Sequence, residues 1–198
     1  MKKMIMMVAV AMMTAMSAQA QSYDYETKHE VAVSIGLYSN SQIIDAFETI
    51  GGAIFGAKLE NERFVGPLSA EYFYHTKPWL SVGGIFVYGH NKQDVMSGSD
   101  KIGESKNSYY TLMPALKFDW LRKSHFGMYS KVAVGATLRN EKYDSHRDSK
   151  NNYDDSEIHV NWQASFLGLE AGGETLRGFF ELGTGEQGII LAGVRYKF

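Results

Sequence analysis

Apolar and polar residues alternate with a period of two along most of the chain after residue 30. In the first such segment, Val31, Val33 and Ile35 share one face, while Ala32 and Ser34 share the other. This alternation predicts a β-strand with one apolar face. The pattern recurs in eight segments and predicts an all-β, eight-stranded, antiparallel, up-and-down transmembrane barrel. The predicted strands are 31–38, 65–75, 79–90, 109–120, 128–139, 158–171, 178–184 and 190–198.

The connections between these segments alternate in length. About 25 residues separate the first and second strands, and about 18 separate the third from the fourth and the fifth from the sixth. The other links are short, including the last one at 185–188, where a long loop is due. Long loops on one side and short turns on the other are typical of outer-membrane barrels.

Two strands are predicted to be irregular. Pro114 lies on the apolar face of the fourth strand and lacks a backbone N–H, so we expect a bulge or a local weakness there. After Phe166 the apolar positions become Leu167 and Leu169, so the facing of the sixth strand is expected to switch.

The last strand carries the most specific pattern of the chain. Its apolar face ends at Phe198, and its sequence follows the order Gly-x-x-Tyr-x-Phe at Gly193, Tyr196 and Phe198. This ending resembles the assembly signal of outer-membrane barrels. Residues 30–198 as a whole resemble the small outer-membrane β-barrel family of the OmpA/OmpX type, which is porin-like in architecture. The resemblance implies the outer membrane of a Gram-negative-type bacterium, with lipid, lipopolysaccharide and the barrel-assembly machinery as partners.

Residues 1–20 have the features of a cleaved signal peptide. Lys2 and Lys3 precede an apolar run, and Ala18 and Ala20 supply a small-x-small cleavage pattern. The apolar run is too short to span a bilayer as a helix. We therefore expect export, a short lead at 21–29 and a barrel domain at 30–198.

Charge and composition narrow the class further. Without the two signal lysines the chain has 18 basic and 22 acidic residues, which is not the footprint of a nucleic-acid-binding protein. The sequence has no cysteine, so no disulfide supports the fold. No segment after the signal is long and apolar enough for a membrane helix, which leaves a closed barrel as the way to span a membrane.

A soluble ligand-carrying barrel would show the same alternation with its apolar face turned inward. The aromatic residues near the strand ends favour lipid instead, because they are placed as an interfacial girdle. These residues are Tyr72, Tyr74, Phe118, Trp120, Tyr196 and Phe198.

The face opposite the apolar one combines small residues with charges, and it is predicted to form the barrel interior. In a barrel this narrow the charges must pair, because each unpaired one costs several kcal/mol. We expect Glu71 and Glu181 to bind three cations, which makes the interior a plug; a narrow diffusion channel is the alternative. The cations are Lys117, Lys131 and Arg195.

The long connections carry the candidate surface sites. Ile43, Ile44, Phe47 and Ile50 fall at helical spacing in the first loop, which predicts a short helix over 41–50 that rests on the rim or acts as a lid. The charged segment 142–157 is predicted to be a solvated loop, and its spacing does not match an EF-hand. Such loops are candidates for an extracellular ligand.

Catalysis has little support in the sequence. His159 and Ser165 share an inward face, but there is no Gly-x-Ser-x-Gly elbow, and the pattern of lipid-A-modifying barrels is not reproduced. No catalytic, cofactor-binding or metal-binding residue is assigned. We expect a monomeric barrel with a structural or surface-interaction role, with a diffusion channel and a lipid-A-modifying enzyme as alternatives.

Overall fold

The alternating segments form a single closed sheet. The computed structural model describes residues 27–41, 58–97, 100–145 and 153–198. Every strand pairs antiparallel with its neighbours in chain order, and β1 pairs with β8 to close the barrel. The predicted eight-stranded, antiparallel, up-and-down barrel is therefore confirmed. The strands are β1 (His29–Leu37), β2 (Lys58–Lys77), β3 (Leu80–Ser97), β4 (Asp100–Arg122), β5 (Phe126–Ser145), β6 (Tyr153–Gly172), β7 (Leu176–Gly185) and β8 (Ile190–Lys197).

The strands in the middle of the chain are longer than predicted. β3 reaches Ser97 and β4 begins at Asp100, so the predicted long loop between them is wrong. The predicted loop at 142–157 is also wrong at both ends, because β5 continues to Ser145 and β6 starts at Tyr153. The sequence of these extensions is mainly polar at both odd and even positions, so the alternation that reveals the other strands is absent there. These extensions instead contain cross-strand contacts such as the ion pair between Lys92 and Glu104.

Several predicted segments fall outside the described residues. These are the signal peptide at 1–20 and the first-loop helix at 41–50, apart from Ser41. Among the described residues, no helix is long and apolar enough to cross a membrane.

The two faces of the sheet differ sharply in chemistry. In β1, burial alternates residue by residue, with Val33 and Ile35 exposed outside and Ala32 and Ser34 buried inside. The same alternation along the other strands produces an outer surface made of large apolar side chains. Its members include Leu68, Tyr72, Val82, Phe86, Leu112, Leu116, Val132, Val134, Trp162, Phe166, Phe180 and Val194.

The interior also contains an apolar patch on one side. Ile85 and Val87 break the alternation of β3, and both are buried inside the barrel. They pack with Phe73, Met113, Ala115 and Ala133. One wall of the lumen, from β2 to β5, is therefore apolar in part, and the ionic groups lie against the rest.

The two predicted irregularities differ in kind. At Pro114 the β4–β5 register continues unchanged, but the ladder has no pairs between Leu112–Ala136 and Ala115–Ala133, which is the predicted local weakness. In β6 the register shifts between Ser165 and Leu167, so the predicted switch of facing is confirmed. After this bulge Glu170 turns into the interior.

Candidate functional site: the polar interior

Four charged side chains meet near the middle of the lumen, and we call them the central cluster: Glu71, Lys131, Glu181 and Arg195. Lys131 Nζ lies 2.5 Å from Glu71 Oε1 and 3.0 Å from Glu181. Arg195 Nη2 lies 3.4 Å from Glu71 and 3.9 Å from Glu181. All four are at most 4% exposed. The two predicted glutamates and two of the three predicted cations therefore form one ion-pair group.

Neutral donors complete the bonding of the central cluster. Tyr129 and Ser165 hydroxyls donate to Glu181 at 2.7 and 2.6 Å. The Gln187 side-chain amide donates to Glu71 at 2.7 Å. These hydrogen bonds offset much of the free-energy cost of removing the two carboxylates from water.

Lys117 pairs differently from the prediction. Its Nζ lies 2.6 Å from Glu30 and 3.5 Å from Asp119, not at ion-pair distance from Glu71 or Glu181. It also lies 4.5 Å from the centre of the Tyr129 ring. The prediction placed Lys117 inside correctly but grouped it with the wrong carboxylates, because β1 supplies a glutamate that was not considered.

Glu170 is the largest omission from the sequence-based set. It accepts from Arg177 at 2.6 Å and from Arg195 at 2.7 Å, and Lys197 also bonds to it. The predicted switch of facing in β6 was the signal that could have identified it. Arg177 in turn donates to the carbonyls of Lys123 and Ser124 at 2.9 and 2.8 Å, which joins two neighbouring turns.

A hydrogen-bonded chain of serine, histidine and carboxylate lies close to the Lys117 pair. Ser81 Oγ is 2.6 Å from His75 Nδ1, and His75 Nε2 is 3.2 Å from Glu30. A serine, a histidine and an acid also form the triad of serine hydrolases, but there Nε2 bonds the serine and Nδ1 bonds the acid, the reverse of the arrangement here. Ser81 and His75 are both buried in the lumen. His159 and Ser165 are not brought together, since Ser165 bonds to Glu181 and Gln163.

The connection between β7 and β8 folds into the lumen at the end of the barrel opposite to the β2–β3 turn. Glu186 and Gln187 are 2% and 0% exposed, which is unusual for a turn. Gly188 permits this, because its φ is 110° and a Cβ there would lie 2.8 Å from the Leu37 backbone nitrogen. The turn therefore places the side chains of Glu186 and Gln187 inside the barrel.

Glu186 is held by neutral groups, which we call the mouth cluster: Ser41, Thr111, Thr137 and Asn161. Ser41 Oγ donates to Glu186 at 2.6 Å and Asn161 donates at 2.8 Å. Thr111 lies 3.4 Å from the same carboxylate, and Thr137 bonds to Thr111 and Asn161. Burial raises the pKa of Glu186 above the usual value, and these hydrogen bonds oppose the rise.

The residues of the predicted assembly signal lie at the seam where β8 meets β1. Phe198 stacks on His29 at 5.4 Å between ring centres and on Tyr196 at 5.8 Å. His29 also bonds to the Tyr72 hydroxyl at 2.9 Å. Gly193 faces inward, where a Cβ would lie 2.3 Å from the Val33 carbonyl oxygen. The seam thus has an aromatic outer face and a close backbone contact inside.

Among the described residues, no group of three or more His, Asp or Glu side chains is arranged to hold a metal ion. The charged interior is instead a set of mutually bonded cations and carboxylates.

Comparisons with known proteins concern the fold. No protein-family model matches the chain, and no curated protein sequence matches it. The chain is similar to the structure of Ail, the attachment invasion locus protein of Yersinia pestis, in complex with the heparin analogue sucrose octasulfate. The identity is 13%, the alignment covers 86% of this chain and 99% of that chain, and the TM-score is 0.45. Another structure of Ail gives 13% identity, 87% and 99% coverage and a TM-score of 0.44.

Proposed function

We propose that this protein is an outer-membrane β-barrel with its apolar outer face in lipid, a plugged polar interior and a structural or surface-interaction role. In this proposal residues 1–20 are removed on export, the barrel-assembly machinery inserts the chain, and the barrel is a monomer without catalytic activity. The single observation that carries the proposal is that the apolar face of the sheet points outward and the charged face points into the lumen.

The outer surface supports the lipid assignment. Large apolar side chains such as Val33, Leu112, Val134 and Phe166 are 57–66% exposed, and they continue around the barrel. Monomeric soluble proteins rarely expose contiguous apolar patches larger than a few hundred Å². A soluble carrier would need the opposite arrangement, with the apolar face around an internal ligand. Here Arg195, Lys131 and their partners occupy that space.

The interior supports the plug. The central cluster crosses the lumen from β2 to β5, β7 and β8, and the β7–β8 turn adds the buried side chains of Glu186 and Gln187. An eight-stranded barrel has an interior just wide enough for side chains. A set of bonded ion pairs in this space favours a plug over a water-filled channel.

An arginine placed on the outer face tests the lipid assignment. Val134→Arg lies on β5 within the apolar surface and should lower the free energy of unfolding in lipid by about 2–4 kcal/mol. Asn140→Arg is the matched control, because residue 140 is on the same strand and the same face but beyond the apolar residues. Its effect should stay within about 1 kcal/mol. Equal, small effects at both positions would contradict the proposal.

Conductance separates the plug from the narrow channel. Purified protein reconstituted in a planar bilayer should give no stepwise conductance at moderate voltage. Steady unitary currents that persist in the wild-type protein would reject the plug and favour a diffusion channel.

A further inference from the structure

A hollow interrupts the outer face of the sheet where β3, β4 and β5 lie side by side. It has a volume of about 430 Å³, and its outward-facing side chains are those of Val82, Pro114, Leu116, Val132 and Val134. The apolar outer surface is therefore recessed at this place. We call this recess the outer hollow.

The sequence around Pro114 explains why the surface is recessed. Gly84 lies opposite Pro114 in the β3–β4 ladder, and the nearest atom to a Cβ placed on Gly84 would be the Met113 carbonyl oxygen, 3.9 Å away. The next pair along the same face consists of the large residues Phe86 and Leu112. A pair without large side chains beside a pair with them leaves open space on the outer face.

The turn end of the same strands carries an aromatic pair and two lysines. Trp79 and Phe118 stack with 6.4 Å between ring centres, and Lys77 Nζ lies 5.6 Å from the centre of the Trp79 ring. Lys77 and Lys123 are exposed, one beside each of the two turns that flank β3 and β4. Neither the β2–β3 connection nor the β4–β5 connection contains Asp or Glu. The surface at this end is therefore aromatic and cationic.

The aromatic pair and the outer hollow are separated by about one half of a bilayer. Gly84 follows Trp79 by five residues. At about 3.3 Å per residue and a strand tilt of about 40°, this separation is roughly 13 Å along the membrane normal. One half of a hydrocarbon core is about 15 Å thick. An acyl chain whose headgroup lies beside Lys77 is therefore long enough to reach the outer hollow.

We infer that this column of the outer face binds a glycerophospholipid with a negatively charged headgroup, from the leaflet at the turn end. Its phosphate contacts Lys77 and Lys123, its glycerol region packs on Trp79, and one acyl chain fills the outer hollow. The inference rests on the proposed function, because lipid covers this face only if the barrel lies in a bilayer.

Charge selects this lipid over two other occupants. A lipid of the opposite leaflet would place its headgroup near the other end of β3, where Lys92 already pairs with Glu104. A second barrel docked symmetrically on the same face would bring the exposed Lys77 and Lys123 of both copies together, which is unfavourable. A phospholipid from the turn-end leaflet meets cations without a neighbouring acidic residue in either turn.

The test follows the fluorescence of Trp79 in barrels folded in phosphatidylcholine vesicles. Trp120→Phe and Trp162→Phe remove the other two tryptophans. The probes are phosphatidylglycerol and phosphatidylcholine with brominated acyl chains, which quench a tryptophan that they contact. Half-maximal quenching should occur at a mole fraction at least roughly fivefold lower for the phosphatidylglycerol, and added salt should reduce this preference.

Charge variants locate the headgroup. Lys77→Gln with Lys123→Gln should bring the two brominated lipids to within roughly twofold of each other, because both cations are lost. Lys106→Gln with Lys142→Gln is the matched control. These two lysines pair across β4 and β5 near the opposite end of the barrel, so their loss should leave the preference unchanged.

A larger side chain in the outer hollow locates the acyl chain. Val132→Phe occupies the hollow and should raise the mole fraction of brominated phosphatidylglycerol needed for half-maximal quenching by roughly threefold. Val194→Phe is the matched control, because Val194 lies on the outer face of β8 and is 47% exposed, against 45% for Val132. It should have no effect on Trp79.

Each outcome has a definite meaning. Equal quenching by the two lipids, a preference that survives the loss of Lys77 and Lys123, or equal effects of Val132→Phe and Val194→Phe would overturn the inference. A preference lost only with Lys106 and Lys142 would assign the lipid to the opposite leaflet, and dimers that shield Trp79 from both lipids would assign the face to a second copy; both results overturn it. Barrels that insert but show no preference reject the inference alone. A chain that does not insert rejects the proposed function, and the inference with it.

Discussion

Arg195 contacts both Tyr129 and Phe179, with its guanidinium carbon 4.6 Å from the centre of each ring. The same guanidinium bonds to Glu170 and lies within ion-pair distance of Glu30 and Glu71. A guanidinium group can make both kinds of contact, because its planar face packs on aromatic rings and its edge carries the N–H donors for carboxylates.

Replacement of Arg195 should therefore be among the most damaging single changes. Arg195→Met removes a cation that several buried carboxylates share and leaves an excess of buried negative charge, so we expect a loss of about 3–5 kcal/mol in the free energy of unfolding. Arg195→Lys should recover only a small part, because an ammonium group cannot bridge the same carboxylates or contact both rings. Urea unfolding of the reconstituted barrel measures both. Lys142→Met, at an exposed position, is the control, and an equal loss there would contradict the assignment.

A double substitution tests whether Lys131 and Glu181 form an ion pair. Lys131→Met leaves both Glu71 and Glu181 short of a cation and should cost about 3 kcal/mol or more. Adding Glu181→Gln removes one of the stranded charges, so the double variant should regain about 1 kcal/mol or more. The measurement is a double-mutant cycle in urea. Strictly additive losses would mean that Lys131 and Glu181 do not interact.

Glu186 predicts a pH dependence of stability at the barrel mouth. Its pKa is raised above 4.5 because of burial. The folded state therefore holds this proton more tightly than the unfolded chain. The resulting stabilisation is fully present below the ordinary pKa and is lost as the pH rises through the raised one. Relative to Glu186→Gln, the wild-type barrel should lose stability as the pH increases over this range.

The comparison with Glu186→Gln isolates this group, because the other carboxylates are the same in both proteins. Unfolding free energies at a series of pH values supply the data. Parallel curves for the two proteins would show that the Glu186 proton is not linked to folding.

Replacement of Phe198 should reduce assembly in cells more than it reduces the stability of the refolded barrel. Its ring is half exposed and stacks on His29 at the seam, so Phe198→Ala should lower the stability of the refolded barrel only modestly. In cells, the same variant should reduce the amount of folded barrel in the outer membrane several-fold. Phe166→Ala is the matched control, since it removes an exposed aromatic ring elsewhere on the outer face. Equal cellular losses for both would argue against a role of Phe198 in assembly.

The sequence predicts the barrel well wherever one face is apolar. Val31 to Leu37 and Ile190 to Phe198 alternate cleanly because lipid-type and interior surfaces demand different side chains. Alternation does not reveal the strands around Lys92 and Glu104, because polar residues occupy both odd and even positions there. Their pairing depends on cross-strand contacts that a linear pattern does not contain.

The interior was predictable in composition but only partly in its pairings. The parity of the strands places Glu71, Lys131 and Arg195 inside. Which carboxylate meets which cation depends on the shear of the closed sheet, and this is why Lys117 meets Glu30 instead of Glu71. The inward turn at Glu186 was not foreseen, because short turns are ordinarily solvated.

Gel migration of the outer-membrane fraction in SDS, before and after boiling, tests the central claim most directly. A closed barrel with its apolar face in lipid should be recovered in that fraction and should migrate as a compact species until it is boiled. A protein recovered in the soluble periplasmic fraction, with the same migration before and after heating, would contradict the assignment of the outer face to lipid.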